Sequence, residues 1–311
     1  MFDNAPKAFF HLLAKSGTLQ SLAARYGMRK PTSFARRFVA GEAIGDAIEA
    51  ARGVEAKGLM QTLDFLGEGI NTLADAEAAT RDYLGVVDAV VSSGIGRNLS
   101  LKLSQLGLGV DRAMATDNLR RILDRADGFF VRVDMEHSAY TAATLQVFET
   151  LWEHDYRQVG VVLQADLRRT GEDVERMIAL GARVRLVKGA YREPSAVAFQ
   201  KKSEVDAAYV RLLERLLLHG HYPAIATHDA AMIDHARRCA AAHKISPDAF
   251  EFQMLYGIRR DLQMSLVAEG YRVRVYIPFG RQWFPYFMRR LGERPANIGF
   301  VLRGIARDKG A

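Results

Sequence analysis

The sequence predicts an α/β fold in which eight parallel strands close into a (β/α)8 barrel, preceded by N-terminal helices. Three observations predict it. Short β-prone runs recur at 59–66, 99–103, 129–134, 158–164, 183–187, 224–227, 250–254 and 273–277. Between them lie stretches with apolar residues at helical spacing, such as Tyr209, Leu212, Leu213, Leu216 and Leu217, and strands alternating with helices imply a parallel sheet. Most runs also carry a polar residue at or beside their C-terminal end, which suits a closed barrel: its C-terminal mouth carries the chemistry, and branched apolar side chains fill its interior.

Length agrees. A barrel of about 250 residues leaves room for an extension within 311. The expected division is a helical arm over 1–56 and a barrel over 57–311. In the arm, Phe9, Phe10, Leu12 and Leu13 form an apolar stripe, and Pro31-Thr32-Ser33 interrupts the pattern. Ser33 is placed to cap a helix running through Phe34 to Val39. An alanine-rich amphipathic stretch over 43–56 then leads into the barrel.

Composition narrows the class. With 49% hydrophobic and 25% charged residues, the chain fits a soluble protein with a large core, and its lone cysteine fits a reducing, cytoplasmic setting. No apolar run approaches the roughly 20 residues that span a bilayer, and residues 1–13 lack the cleavage pattern of a secretory signal. The single cysteine, Cys239, excludes an internal disulfide and a multi-cysteine metal site. Its helical surroundings predict a buried structural thiol. A net charge of +7 suits nucleic acid or an anionic membrane surface. Yet the basic pairs Arg36-Arg37, Lys201-Lys202 and Arg237-Arg238 sit beside acids or on predicted helices, and no basic run carries interleaved aromatics. Solvated faces, not nucleic-acid binding, are the better reading.

The predicted strand ends supply the chemistry: Lys102, Asp134, Gln164, Lys188, Thr227-His228-Asp229 and Gln253. Lys102 and Asp134 end neighbouring strands, so a salt bridge between them is expected. Arg185-Leu186-Val187-Lys188-Gly189-Ala190-Tyr191 is a strand end followed by a small-residue turn, where a flat ligand can approach the backbone. Arg185 or Lys188 suits an anion or a developing negative charge; a strand-end lysine also suits a Schiff base, and one of the two suits simple pairing with Asp134. Near the C-terminus, Tyr286, Arg289 and Glu293 share one face of a predicted helix whose first turn holds Pro285. With Arg290 they make either a bidentate clamp for a carboxylate or a surface ion pair. His219, His221, His228 and His235 fall in no metal-ligand spacing. Gly94-Ile95-Gly96 lacks a third glycine and precedes a strand, so it reads as a turn.

In combination, the Arg185–Tyr191 segment and Tyr286-Phe287-Met288-Arg289-Arg290-Leu291 resemble the signature segments of the proline dehydrogenase family. Leu101-Lys102-Leu103-Ser104, Asp134-Met135-Glu136, Thr227-His228-Asp229 and Phe250-Glu251-Phe252-Gln253-Met254-Leu255 match in the same order. The opening Arg36-Arg37-Phe38-Val39-Ala40-Gly41-Glu42 is similar to compact, monofunctional bacterial members, so the resemblance spans nearly the whole chain.

The resemblance implies a distorted TIM-type barrel with FAD at the strand C-termini and the last helix over the mouth. It implies flavin contacts from Met135, Gln164, Val187, Lys188, Gly189 and Ala190, and from Thr227, His228, Asp229 and Gln253. Arg185 is then expected beside the reactive ring, with Asp134 and Arg185 as catalytic residues. Lys102, Tyr191, Leu255, Tyr276, Tyr286, Arg289 and Arg290 are expected around proline, with Glu293 orienting the arginine pair. The implied reaction is oxidation of L-proline by hydride transfer from C5 to flavin N5. A membrane quinone is the implied acceptor, reached by peripheral contact at the inner membrane. Tyr276 is the bulky residue that the family associates with proline instead of hydroxyproline. One departure stands out in Gln164-Ala165-Asp166-Leu167: many relatives carry an aromatic where this chain has Asp166. The rival readings are a Schiff-base barrel using Lys188 or Lys102 and a basic nucleic-acid-binding protein.

Overall fold

A computed structural model describes residue 28, residues 33–67 and residues 70–293, apart from the side chains of residues 34 and 291–293. The Phe9–Leu13 stripe, Pro31-Thr32 and the Glu293 side chain lie outside the described residues. Eight parallel strands form a closed barrel in sequence order: β1 (Met60–Phe65), β2 (Asn98–Leu101), β3 (Phe130–Val133), β4 (Val159–Gln164), β5 (Val184–Val187), β6 (Ala224–Ala226), β7 (Glu251–Leu255) and β8 (Arg272–Phe279). The β1–β8 seam pairs in register from Met60 with Arg274 to Phe65 with Phe279. All eight lie where the β-prone runs predict them.

The helices are α1 (Ile44–Glu55), α2 (Leu73–Ser93), α3 (Arg112–Arg125), α4 (Ser138–Glu153), α5 (Thr170–Leu180), α6 (Lys202–His219), α7 (Ala230–Ala242), α8 (Arg260–Ala268) and α9 (Trp283–Glu293). Their starts follow local chemistry. Thr72 and Asp75 bond reciprocally at the start of α2, through Asp75 N–H to Thr72 Oγ1 at 3.1 Å and Thr72 N–H to Asp75 Oδ2 at 3.1 Å. Asp111 accepts from Met114 N at the start of α3, and Asp229 from Ala231 N at the start of α7. Ser33 behaves otherwise. It precedes a four-residue 3-10 turn, Phe34–Arg37, and its hydroxyl makes no cap. The expected helix there is shorter than predicted because the chain turns at Phe38 to dock, Ala40 N bonding Pro278 O at 2.9 Å.

Two helices depart from a regular barrel. Helix α1 packs against β8 and β1, outside the seam, burying Ala47, Ala51 and Val54. Helix α9, which follows β8, instead joins a cluster of its own: Trp283, Tyr286, Phe287 and Met288 pack with Met28, Ala35, Phe38, Val39 and Leu66. Ile258 and Tyr276 lie against that cluster. Leu66 and Ile258 follow β1 and β7 at their C-terminal ends, so α9 lies over the mouth.

The interior differs from the expectation of branched apolar layers. Side chains alternate along a strand, and here the branched residues take the outer face. Leu99, Leu101, Val131, Val133, Val161 and Leu186 are fully buried in the main core with the helices. Polar side chains take many of the alternate, inward-facing positions: Thr62 Oγ1 lies 3.4 Å from Ser100 Oγ, and Arg274 bonds Glu251 at 2.8 and 3.0 Å. Buried polar groups require partners, and the barrel lumen supplies them strand to strand. Cys239 on α7 is half-buried, less enclosed than predicted, with burial and the Glu214 charge pushing its thiol pKa up.

Candidate active site

At the C-terminal end of the lumen, five strands contribute to one charged layer. Lys102, just beyond β2, sets its ammonium 3.0 Å from Asp64 Oδ1 on β1 and 3.2 Å from Asp134 Oδ2, just beyond β3. Arg185 on β5 donates to Asp134 Oδ1 at 2.8 Å and to Ser100 Oγ at 2.9 Å. Tyr276 on β8 donates to Asp134 Oδ2 at 2.8 Å, and the Arg185 guanidinium lies over its ring at 5.4 Å. The expected Lys102–Asp134 bridge is present, and so is an Arg185–Asp134 pair. Sequence reasoning missed Asp64, a carboxylate with no exposure at all.

Electrostatics follow from burial and pairing. Burial pushes Asp64 above the usual carboxylate range; Lys102 pulls against that rise and the Asp134 charge adds to it. Burial opposes the Lys102 charge, but Asp64 and Asp134 outweigh it and hold the ammonium well above the ordinary lysine value. Tyr276 is likewise raised, by burial and by the two carboxylates. Two carboxylates against two cations leave the layer neutral. A Schiff-base lysine needs a lowered pKa, so Lys102 does not suit that role. Lys188 is clasped by Asp206 at 2.5 Å and Asp229 at 2.7 Å.

Around this layer the structure gathers the other predicted strand-end residues. Met135 is buried next to Asp134. Gln164 ends β4 and donates to Glu136 O at 2.9 Å. Val187 ends β5, and Gly189 follows with φ +112°. That conformation favours glycine, and a Cβ there would stand 2.1 Å from the Asp166 carboxyl. Ala190 is exposed and Tyr191 half-buried; burial raises the Tyr191 phenol, while Lys102 and Arg289 pull it down. Thr227 Oγ1 accepts from Asp229 N at 3.1 Å, and His228 Nε2 accepts from Leu255 N at 2.9 Å, tying the ends of β6 and β7 together. Gln253 sits deeper in the lumen and donates to Glu251. Above the mouth, α9 carries Tyr286, Arg289 and Arg290, with the Arg290 guanidinium 5.3 Å from the Tyr286 ring centroid.

A family model described as Proline dehydrogenase matches residues 47–303. The chain belongs to the proline dehydrogenase family. Proline dehydrogenase 2 of Bacillus subtilis (strain 168) is 40% identical over 301 residues, 96% of this chain and 98% of that protein. The Proline dehydrogenase of Deinococcus radiodurans is 44% identical over 283 residues, 89% of this chain and 91% of that one. Among solved structures, proline utilization A (PutA) from Bdellovibrio bacteriovorus, inactivated by N-propargylglycine, superimposes with a TM-score of 0.77 at 27% identity. That match covers 83% of this chain and 32% of the PutA chain, so this proline dehydrogenase spans about a third of the longer protein. It is similar to compact bacterial relatives, matching that of Bacillus almost end to end.

Proposed function

We propose that the chain oxidises L-proline to Δ1-pyrroline-5-carboxylate as an FAD-dependent dehydrogenase. The observation that carries this reading is an arginine pair, Arg289-Arg290, on a helix that roofs a neutral layer of Asp64, Lys102, Asp134, Arg185 and Tyr276. A carboxylate entering from above meets two neighbouring guanidiniums at the roof; the layer below has already balanced its charge.

The residues present fit a flavin nucleotide. Arg185 Nε is a buried donor without a hydrogen-bond partner among the described residues, and Ala190, just past the β5 end, is exposed. FAD bound there would supply a two-electron acceptor for the hydride lost from proline C5, with flavin N5 as its proposed recipient and the proline nitrogen giving up its proton. Arg185 would set its cation beside the bound ring. Met135, Gln164, Val187, Lys188, Gly189 and Ala190 hold the cofactor on one side of the mouth, and Thr227, His228, Asp229 and Gln253 on the other.

The chain's own work is placement. Arg289 and Arg290 grip the carboxylate, with Glu293 orienting them. Tyr191, Leu255, Tyr276 and Tyr286 enclose an apolar ring, and Lys102 floors it. Asp134 takes bonds from Lys102, Arg185 and Tyr276 and so fixes all three side chains. Bulk at Tyr276 favours proline over its hydroxylated analogue. Electrons then leave to a quinone, and the net charge of +7 supports peripheral contact of a cytoplasmic enzyme with the anionic inner membrane. Among the described residues no helix is long and apolar enough to cross a membrane.

The test is a visible spectrum of the purified protein before and after L-proline. A flavin band near about 450 nm that bleaches on addition supports cofactor and substrate together; a colourless protein that takes up no FAD overturns the reading. Sedimentation with anionic liposomes at low salt tests the membrane contact, and its absence removes that part alone.

A further inference from the structure

Asp166 lies just beyond the end of β4, and none of the roles above uses it. It anchors both ends of the loop between β5 and α6. Its N–H bonds Lys188 O at 2.9 Å, its carbonyl accepts from Phe199 N at 2.8 Å, and beside it Arg168 N bonds Val197 O at 2.9 Å. The loop so enclosed carries Gly189, Ala190 and Tyr191. The Asp166 carboxyl turns onto Gly189, 2.1 Å from where a Cβ would stand, and its Oδ1 is buried without a hydrogen-bond partner among the described residues. Across the loop, Glu193 is pinned by Ser138 N at 2.7 Å and by the Ser138 hydroxyl.

We propose that the Asp166 carboxyl is a proton-operated catch, holding the β5–α6 loop closed over the mouth as the neutral acid and releasing it as the carboxylate. An ionised Asp166 would be a buried charge facing a second carboxylate, with one oxygen unsolvated, and that is costly. The other charged groups around it are engaged elsewhere. Lys188 is held by Asp206 and Asp229, and Arg169 by Asp173. Arg168 bonds Ser195 O and stacks on Phe199, and Glu136 takes Ser104. His137 stacks on Tyr140, and Arg192 is exposed. Burial first, and then the Glu193 charge, push Asp166 up to about 7. The catch therefore sits where cytoplasmic pH can operate it. Because the released loop carries Gly189–Tyr191, it also loosens the cofactor contacts assigned above; only this consequence rests on the flavin reading.

The test is limited trypsin digestion of the purified protein at the exposed Arg192, read by mass spectrometry from pH 6 to 8.5 and normalised at each pH to a small peptide substrate. Wild-type cleavage should rise several-fold through neutral pH, while Asp166→Asn stays slow and flat. A flat wild-type profile, or an Asn variant that follows the wild type, overturns the catch. In parallel, the FAD dissociation constant from flavin fluorescence should rise over the same interval in the wild type only. A protein that binds no flavin at any pH refutes the cofactor reading, and the cleavage comparison still decides the catch.

Discussion

Lys102 holds two carboxylates at once, and one of them, Asp64, has no exposure to water. Removing the ammonium strands that charge. Lys102→Met should cost roughly 3–5 kcal/mol, the usual loss when one partner of a buried pair is deleted, measured by urea unfolding. The pH dependence has a definite sign. Asp64 is already raised in the folded state and rises further without Lys102. Its contribution is therefore full below the unfolded value near about 4 and is lost as pH climbs through the folded one. The variant should be closer to wild type at pH 5 than at pH 8. Arg289→Ala and Arg290→Ala test the roof instead. Each removes a charge-assisted bond worth roughly 1.5–3 kcal/mol, so KM for proline should rise by about 10- to 150-fold, against a smaller change in kcat; an unchanged KM in both ends the clamp.

At the scale of elements, the N-terminal turn and the loop after β7 approach each other closely. Gly257 has φ +76°, and a Cβ there would lie 1.7 Å from Arg37 O. Gly257→Ala therefore forces the turn at Phe34–Arg37 off its seat, beyond the roughly 1–2 kcal/mol of the left-handed conformation itself. The melting temperature should fall, and the fluorescence of Trp283, bonded to Glu42 at 3.0 Å, should shift as the roof loosens. Strands and helices were legible in the sequence because periods of two and 3.6 differ over five residues or more. Which strand face points inward was not, since both faces of these strands are buried and hydropathy alone leaves the choice open. The missing signal was present all the same. Thr62 and Asp64, Ser100 and Lys102, Arg132 and Asp134, and Arg274 and Tyr276 are polar pairs two residues apart on successive or adjoining strands. Read together, they mark one face and would have brought Asp64 into the site. The Arg289–Arg290 clamp was open to two readings because spacing places residues on a helix face without saying what that face covers.

Across the whole molecule, the polar lumen continues from the charged layer at the mouth down to Arg274 and Glu251. Burial works to raise the Glu251 pKa, but Arg274 outweighs it and the carboxyl ends below its usual range. Its stabilising contribution is thus present above the unfolded value near about 4.3 and vanishes as pH falls through the folded one. Glu251→Gln should lose roughly 3–5 kcal/mol at neutral pH, because Arg274 and the fully buried Arg132 keep their charges without a counter-ion, and its stability should vary less below pH 4. Thermal melts across that range check both parts. The position of α1 has a further consequence. It fills the groove outside the β1–β8 seam, the place a helix after β8 takes in a regular barrel, and so frees α9 from any duty in the wall. Enclosure and selection thereby reside in separate pieces of chain. A graft that swaps the final helix for another can change which molecules are admitted while the cylinder beneath keeps its shape.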